Sequence, residues 1–344
     1  NFLYITPFLD ECKRIQESTA PEHKFIMPVR KWPTLSKLEN IATLLQAEES
    51  IASSHELFKR FDERIKDILL FYSSYTLVID EVVDVISPYK ITKSDIEILR
   101  TSKAITIDDK GICHWNKDMS DYEGRYEDIR LIASSGNLVC IDDTFFIWRY
   151  NPEIFEFFDH VYIMTYLFDG SVMKGYFDYY NIPYNKVTLD NGNIIPYRPT
   201  DTSHLKELIN VYDGRLNEGF ARSSLSKSWY DDKKNAKEVK KLGNNMDNYY
   251  RHILGAKADT RLWSCFEDKR EYLQKARYKN DFIPCNARAT NDYADRYNLA
   301  YLVNIYLHPG VIHYLAQNKI IVDKDQYALG ILLQWIWRSR IRNG

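Results

Sequence analysis

The chain has 344 residues, 45% apolar and 27% charged, with 46 Lys and Arg against 48 Asp and Glu for a net charge of −2. That balance excludes a disordered tail, a collagen-like repeat and a disulfide scaffold, and it leaves core enough for about two domains. A polyanion partner has to be met by a local basic patch, because the chain as a whole supplies no basic field.

Phe2 to Ile5 reads as a short buried strand running into a helix, with Thr6 as N-cap, Pro7 at the first helical position, and Phe8, Cys12 and Ile15 on one face. Helical material at 56–71 leads to a second continuous apolar run, Thr76-Leu77-Val78-Ile79, which ends in Asp80-Glu81. Further runs occur at Leu138 to Ile141 and at Val161 to Thr165. Fully buried strands of this kind belong to parallel sheets, and their alternation with helices predicts an α/β architecture.

Asn191-Gly192, flanked by Val187 to Asp190 and Asn193 to Ile195, predicts a hairpin near a domain junction. Leu205, Leu208, Ile209 and Tyr212 at helical spacing predict a helix capped by Thr202 or Ser203. The basic stretch from Arg222 to Lys241 reads first as a solvated helix face and second as a surface that tracks phosphates. Tyr327 to Ile336 forms an apolar helix followed by Arg338, Arg340 and Arg342.

The five cysteines (Cys12, Cys113, Cys140, Cys265, Cys285) show no C-x-x-C spacing, which points to reduced thiols in a cytoplasmic protein and not to a zinc site. No apolar run approaches the eighteen or so residues that span a bilayer, so no membrane partner is expected.

Two adjacent acids at the carboxyl end of a buried parallel strand sit where open α/β sheets bind ligands. In such a pair, one carboxylate can hold magnesium while the other orients an attacking water; the alternative is a capped helix start. Glu267-Asp268-Lys269 has the E-x-K form of a nuclease core but lacks an acid on a preceding strand. No H-E-x-x-H or G-x-S-x-G occurs, and His308 and His313 read as packing or surface residues.

Read in order, several segments resemble the motifs of superfamily two helicases: Leu3 to Glu11, Ile51-Ala52-Ser53-Ser54-His55, Val78-Ile79-Asp80-Glu81, Met164-Thr165-Tyr166, Phe282 to Asn291 and Gln334 to Arg342. In particular the chain is similar to helicase-like ATPases of phage and prophage genomes. The resemblance implies two RecA-like parallel-sheet domains, residues 1–165 and 166–344, with an inserted hairpin and a helical insertion at about 200–280. It implies ATP and magnesium in the cleft between them, and nucleic acid, DNA rather than RNA, across both.

By the same resemblance Asp80 points toward magnesium and Glu81 toward the attacking water, while Thr6, Pro7, Ser54 and His55 face the nucleic-acid backbone. Thr165 occupies the coupling motif, and Asn286, Arg288 and Asn291 touch strand or nucleotide. Gln334 and Arg338, four apart, share a helix face as part of the arginine-finger motif. Trp337 stands where the family has glycine, and Ile341 stands at its second arginine, leaving Arg340 and Arg342 as candidates for the second finger.

The largest departure is that no G-x-x-x-x-G-K-[ST] occurs in the 344 residues. The expectation is a chain cut at both ends, with the phosphate loop upstream of Asn1. The competing expectation is a degenerate relative that binds without hydrolysis. The sequence therefore points to an ATP-dependent helicase or translocase, with a non-catalytic nucleic-acid-binding module or a replication scaffold as alternatives.

Overall fold

A computed structural model describes residues 1–31, 35–72, 74–287 and 292–343. The chain divides into two compact units, one of Asn1–Ile182 with Leu307–Asp323 and one of Pro183–Tyr306 with Lys324–Gly344. The partition therefore falls at 182/183, with a later return to the first unit, whereas the sequence suggested a single boundary at 165.

The first unit opens with β1 (Phe2–Thr6), α1 (Leu9–Ser18), β2 (Phe25–Ile26), α2 (Lys37–Gln46), β3 (Ser50–Ser54), α3 (His55–Phe58), α4 (Glu63–Tyr72) and β4 (Thr76–Asp80). An inserted module follows: β5 (Ile86–Tyr89), α5 (Lys93–Thr101), β6 (Ile105–Ile107), β7 (Cys113–Trp115), α6 (Glu127–Ser134), β8 (Leu138–Ile141) and β9 (Phe145–Arg149). Then come β10 (His160–Met164) and α7 (Val172–Tyr180).

Strands β10, β4, β1, β3 and β2 form one sheet in that order, every pairing parallel. Leu3, Ile5, Ile51, Leu77 and Ile79 are all 0% exposed, as expected of central strands covered on both faces. On one face α1 packs through Cys12 and Ile15 against Tyr4 and Ala52.

Leu138–Ile141 departs from the parallel expectation, because β8 pairs antiparallel with β9 in a three-stranded β5-β9-β8 sheet. It is buried along its whole length, with Leu138 and Cys140 in the module's own core of Ile96, Leu99, Trp115, Ile129 and Phe146. An apolar run records burial on both faces and not strand direction. Thr6 also differs from expectation: it ends β1, and the residue that caps α1 is Phe8, with no side-chain cap bond.

The second unit holds β11 (Val187–Asp190), β12 (Asn193–Pro196), α8 (Leu205–Leu208), α9 (Lys227–Asp231), α10 (Ala236–Asn248), β13 (Arg261–Ser264), α11 (Arg270–Leu273) and β14 (Asn298–Tyr301). The chain returns to the first unit with α12 (Pro309–Ala316) and ends on α13 (Lys324–Ile336) in the second. The hairpin forms as the sequence indicated, with Asn191 at φ 48 and Gly192 at φ 80 across the turn between β11 and β12.

The helix expected at 205–212 is one turn long, capped by His204 without a side-chain bond, and the backbone is already extended at Ile209. The stretch expected to be a helical insertion contains a strand, β13, which pairs in parallel with β14. Successive residues of these strands face two separate cores. Trp263, Ala300 and Leu302 meet Leu242 and Met246 of α10, whereas Leu262, Leu299 and Tyr301 meet Trp335 and Ile336 of α13. The unit is thus helix, sheet and helix in three layers.

In the inserted module, Thr92 caps α5 and its hydroxyl donates to Asp95 at 2.7 Å; Tyr126 Oη at 2.8 Å and Arg125 at 3.0 Å also donate. The Thr92 and Tyr126 hydrogen bonds, with Arg125's charge, hold the Asp95 carboxyl below its ordinary 3.8. A depressed carboxylate contributes stability above its unfolded value and loses it as pH falls through the folded one. Urea unfolding at pH 7 and at pH 3 is expected to show a smaller acid-induced loss in Asp95→Asn than in the parent.

Candidate functional site

Because the five strands of the first sheet run in parallel, their carboxyl ends share one edge, the place where such sheets gather ligands. Thr6 is level with Ser54, Ile5 with Ile79, and Asp80 with Met164. The register therefore lines up Ser54, Thr6, Asp80 and the residue pair Met164-Thr165 across four neighbouring strands. This brings together the first-unit residues singled out in the sequence.

Asp80 is half-buried, and its carboxylate faces the Tyr4 hydroxyl. Burial, then the charge of Asp80 and a hydrogen bond to it, push the Tyr4 phenol up to about 12, so Tyr4 remains a proton donor toward Asp80. Arg14, held by Glu11 at 2.7 Å, adds a positive charge to the same neighbourhood. Tyr4, Glu11 and Arg14 were not singled out as site residues. The alternation of β1 was the available signal, since it puts Tyr4 on the α1 face.

The Asp80 carbonyl lies 3.1 Å from His55 Nε2, and His55 is buried. The imidazole thus ties the start of α3 to the end of β4. Ser54 caps α3, its hydroxyl accepting from Leu57 N at 3.3 Å. Pro7 is half-buried in the connection from β1 to α1. Thr165 follows β10, its hydroxyl 3.4 Å from the Tyr166 carbonyl.

Glu81 does not begin a helix. It sits in the left-handed region at φ 62, its N–H donating to the Met164 carbonyl at 2.8 Å, and the chain beyond is irregular to β5. A non-glycine residue held there stores backbone strain of order 1 kcal/mol.

Beneath the edge, Thr6 Oγ1 and Ser53 Oγ are fully buried with no hydrogen-bond partner among the described residues. Buried hydroxyls are nearly always paired, so two on adjacent strands behind one acidic pair set this edge apart from the rest of the sheet.

In the second unit Asn286 is exposed in a turn after Pro284, while Arg288 and Asn291 lie outside the described residues. Gln334 is on α13, but the helix ends at Ile336, two residues before Arg338. The Ser339 hydroxyl donates to the Ile336 carbonyl at 2.7 Å and terminates the helix there, so the shared helical face expected of Gln334 and Arg338 is cut short. Arg342 is exposed in a following turn, and the Arg340 guanidinium lies 5.8 Å over the Tyr297 ring.

Among the described residues no three or more His, Cys, Asp or Glu side chains gather to hold a metal ion. Asp80 alone still suits magnesium, which takes one or two carboxylates and completes its shell with water and phosphate. No helix among them is long and apolar enough to cross a membrane.

Residues 86–148 match the family described as the YonV middle domain, and residues 203–344 match the YonV C-terminal Rossmann-like domain. The chain is also 33% identical to the SPbeta prophage-derived uncharacterized protein YonV of Bacillus subtilis (strain 168), over 361 residues covering all of this chain and 87% of that protein. The chain belongs to the YonV family. The YonV middle domain coincides with the inserted antiparallel module between β4 and β10. The YonV Rossmann-like domain takes in the three-layered part of the second unit, which agrees with its parallel β13 and β14. No solved structure matches the chain.

An unpartnered buried hydroxyl costs about 1–3 kcal/mol, and an isosteric apolar replacement removes that cost. Thr6→Val is therefore expected to raise stability by about 1 kcal/mol in chemical denaturation. A destabilised Thr6→Val would mean that the hydroxyl is already paired.

Proposed function

We propose that this YonV-family chain is part of a nucleoside-triphosphate-driven motor acting on nucleic acid, of the superfamily two helicase kind. The observation that carries the reading is the carboxyl edge of the first sheet, where Asp80 and Glu81 end a central parallel strand with Thr6, Ser54 and Thr165 alongside.

Magnesium bound with ATP would neutralise phosphate charge during transfer to water. In this chain Asp80 would hold the ion, oriented by Tyr4 on its carboxylate and His55 on its carbonyl. Glu81, fixed by its strained backbone and its bond to Met164, would orient water. The residues fit that half of the task only, because none of the 344 forms the glycine-rich phosphate loop.

The outer edge of β10 could take a further parallel strand. Among the described residues β10 pairs only with β4, and its Tyr162 and Met164 are exposed. A further parallel strand paired there would end next to Thr165, with β10 between it and Asp80.

A second reading, a nucleic-acid-binding module without hydrolysis, is favoured by one feature. Arg222, Lys227, Lys233, Lys234, Lys237, Lys240 and Lys241 are all exposed, along α10 and the segment before it. Such a surface binds phosphates in a salt-dependent way.

Phosphate release from ATP by the protein, with and without single-stranded DNA, tests both readings. The motor reading expects DNA-stimulated release that falls by about 10²-fold or more in Glu81→Gln. Salt-sensitive DNA binding with no release in the parent would move the assignment to the second reading.

A further inference from the structure

The second unit contains a cavity of about 490 Å³. Leu299, Ala300, Tyr301 and Leu302 line it in succession. The face of a strand contributes only alternate residues to a cavity, so consecutive ones mean that the space runs along the outer edge of β14. Among the described residues that edge has no partner strand, since β14 pairs only with β13.

Leu242 and Met246 of α10 wall the cavity from one side of the sheet, and Leu332 and Ile336 of α13 wall it from the other. The cavity is therefore the position of the next strand, left open between two helix layers that extend past β14.

A further wall is the segment Leu208-Ile209-Asn210-Val211-Tyr212. Its composition is that of a strand, and Ile209 already has extended backbone at φ −109 and ψ 114. Yet Val211 is 77% exposed and Leu208 47%. The segment is tethered close by on its carboxyl side, where Asn217 Nδ2 donates to the Tyr212 carbonyl at 2.9 Å and Asn245 Nδ2 of α10 donates to the Leu216 carbonyl at 2.7 Å.

We propose that residues 208–212 swing into this slot and pair with the outer edge of β14 as an additional strand, the cavity being the open form of a two-state closure. Pairing would satisfy the free edge of β14 and take Leu208, Ile209 and Val211 out of water. Ser339, Arg340 and Ile341 also line the cavity, so closure would pack the segment against the turn that carries the C-terminal arginines. The inference rests on the three-layered geometry of this unit and stands whether or not the chain hydrolyses ATP.

Cysteine pairing tests it in the full chain, whose five native cysteines are buried. Val211→Cys is combined in turn with Leu299→Cys, Ala300→Cys and Tyr301→Cys, and each pair is oxidised and mapped by mass spectrometry. A disulfide within one chain in at least one pair is expected. In parallel, amide exchange at 208–212 is expected to be slower by about tenfold or more in the parent than in Val211→Pro, a change at an exposed position that blocks pairing without opening the core. An added peptide of the sequence 206–213 is expected to speed exchange of the chain's own segment by displacing it.

Absence of any intrachain disulfide together with equal exchange in the parent and Val211→Pro overturns the proposal. Disulfides formed only between chains, with a concentration-dependent dimer, would overturn it in favour of a second copy as the occupant.

Discussion

The parallel register of β1 against β3 and β4 is the constraint on which the rest of the first unit depends. Parallel strands cannot be joined by a tight turn, so each must be followed by a crossover that returns the chain to the same end of the sheet. The turn residues of every strand are thereby delivered to one edge. Thr6, Ser54, Asp80 and Thr165 come from segments nearly 160 residues apart in sequence and stand in one row for that reason. The inserted YonV middle domain leaves this row intact, because it enters after β4 and exits before β10, extending one crossover without changing the strands it joins.

The edge carries groups that cost the sheet some stability. Thr6 and Ser53 bury hydroxyls without partners, and Glu81 holds a left-handed backbone that glycine would adopt without strain. In the second unit two buried groups on β13 do find partners. Arg261, on a strand buried along its length, donates to Asp281 at 2.9 Å and lies 4.8 Å from the Tyr278 ring centre. Trp263 Nε1 reaches the Tyr278 carbonyl at 2.9 Å. Ser264 Oγ on β13 and Tyr301 Oη on β14 are nonetheless buried without a partner among the described residues, so what distinguishes the first sheet's edge is the acidic pair aligned with Thr6 and Ser54.

The second unit solves a different problem. Its β13 and β14 are covered on both faces by α10 and α13, but the sheet stops while the helix layers continue. An unfilled strand position is a space that only an extended chain can fill well, since it offers main-chain groups on one wall and apolar side chains on two others. Leu208 to Tyr212 border it with the composition of such a strand, which gives that segment two competing environments within one unit.

Several elements were legible from the sequence alone. Phe2 to Ile5, Thr76 to Ile79 and Val161 onward are apolar runs between polar breaks, and Asn191-Gly192 specifies its hairpin by the φ values it tolerates. The acidic pair at the end of the second run was legible as a candidate site for the same local reason. Other elements were not. Ser50 to Ser54 is a strand of small residues with no apolar run, and it is strand only because β1 and β2 pair with its two edges. Arg261 to Ser264 opens with a charge whose burial depends on Asp281, twenty residues on. Leu205 to Tyr212 satisfies helical spacing and strand composition at once, and the slot beside β14 has no counterpart in its sequence. What the sequence determined by itself was local: where strands begin and end, one turn type, and an adjacent pair of acids. Strand direction, the row that joins Asp80 to Thr6 and Ser54, and the open strand position were decided by tertiary structure, because each depends on which distant segment supplies the hydrogen bonds and covers the face.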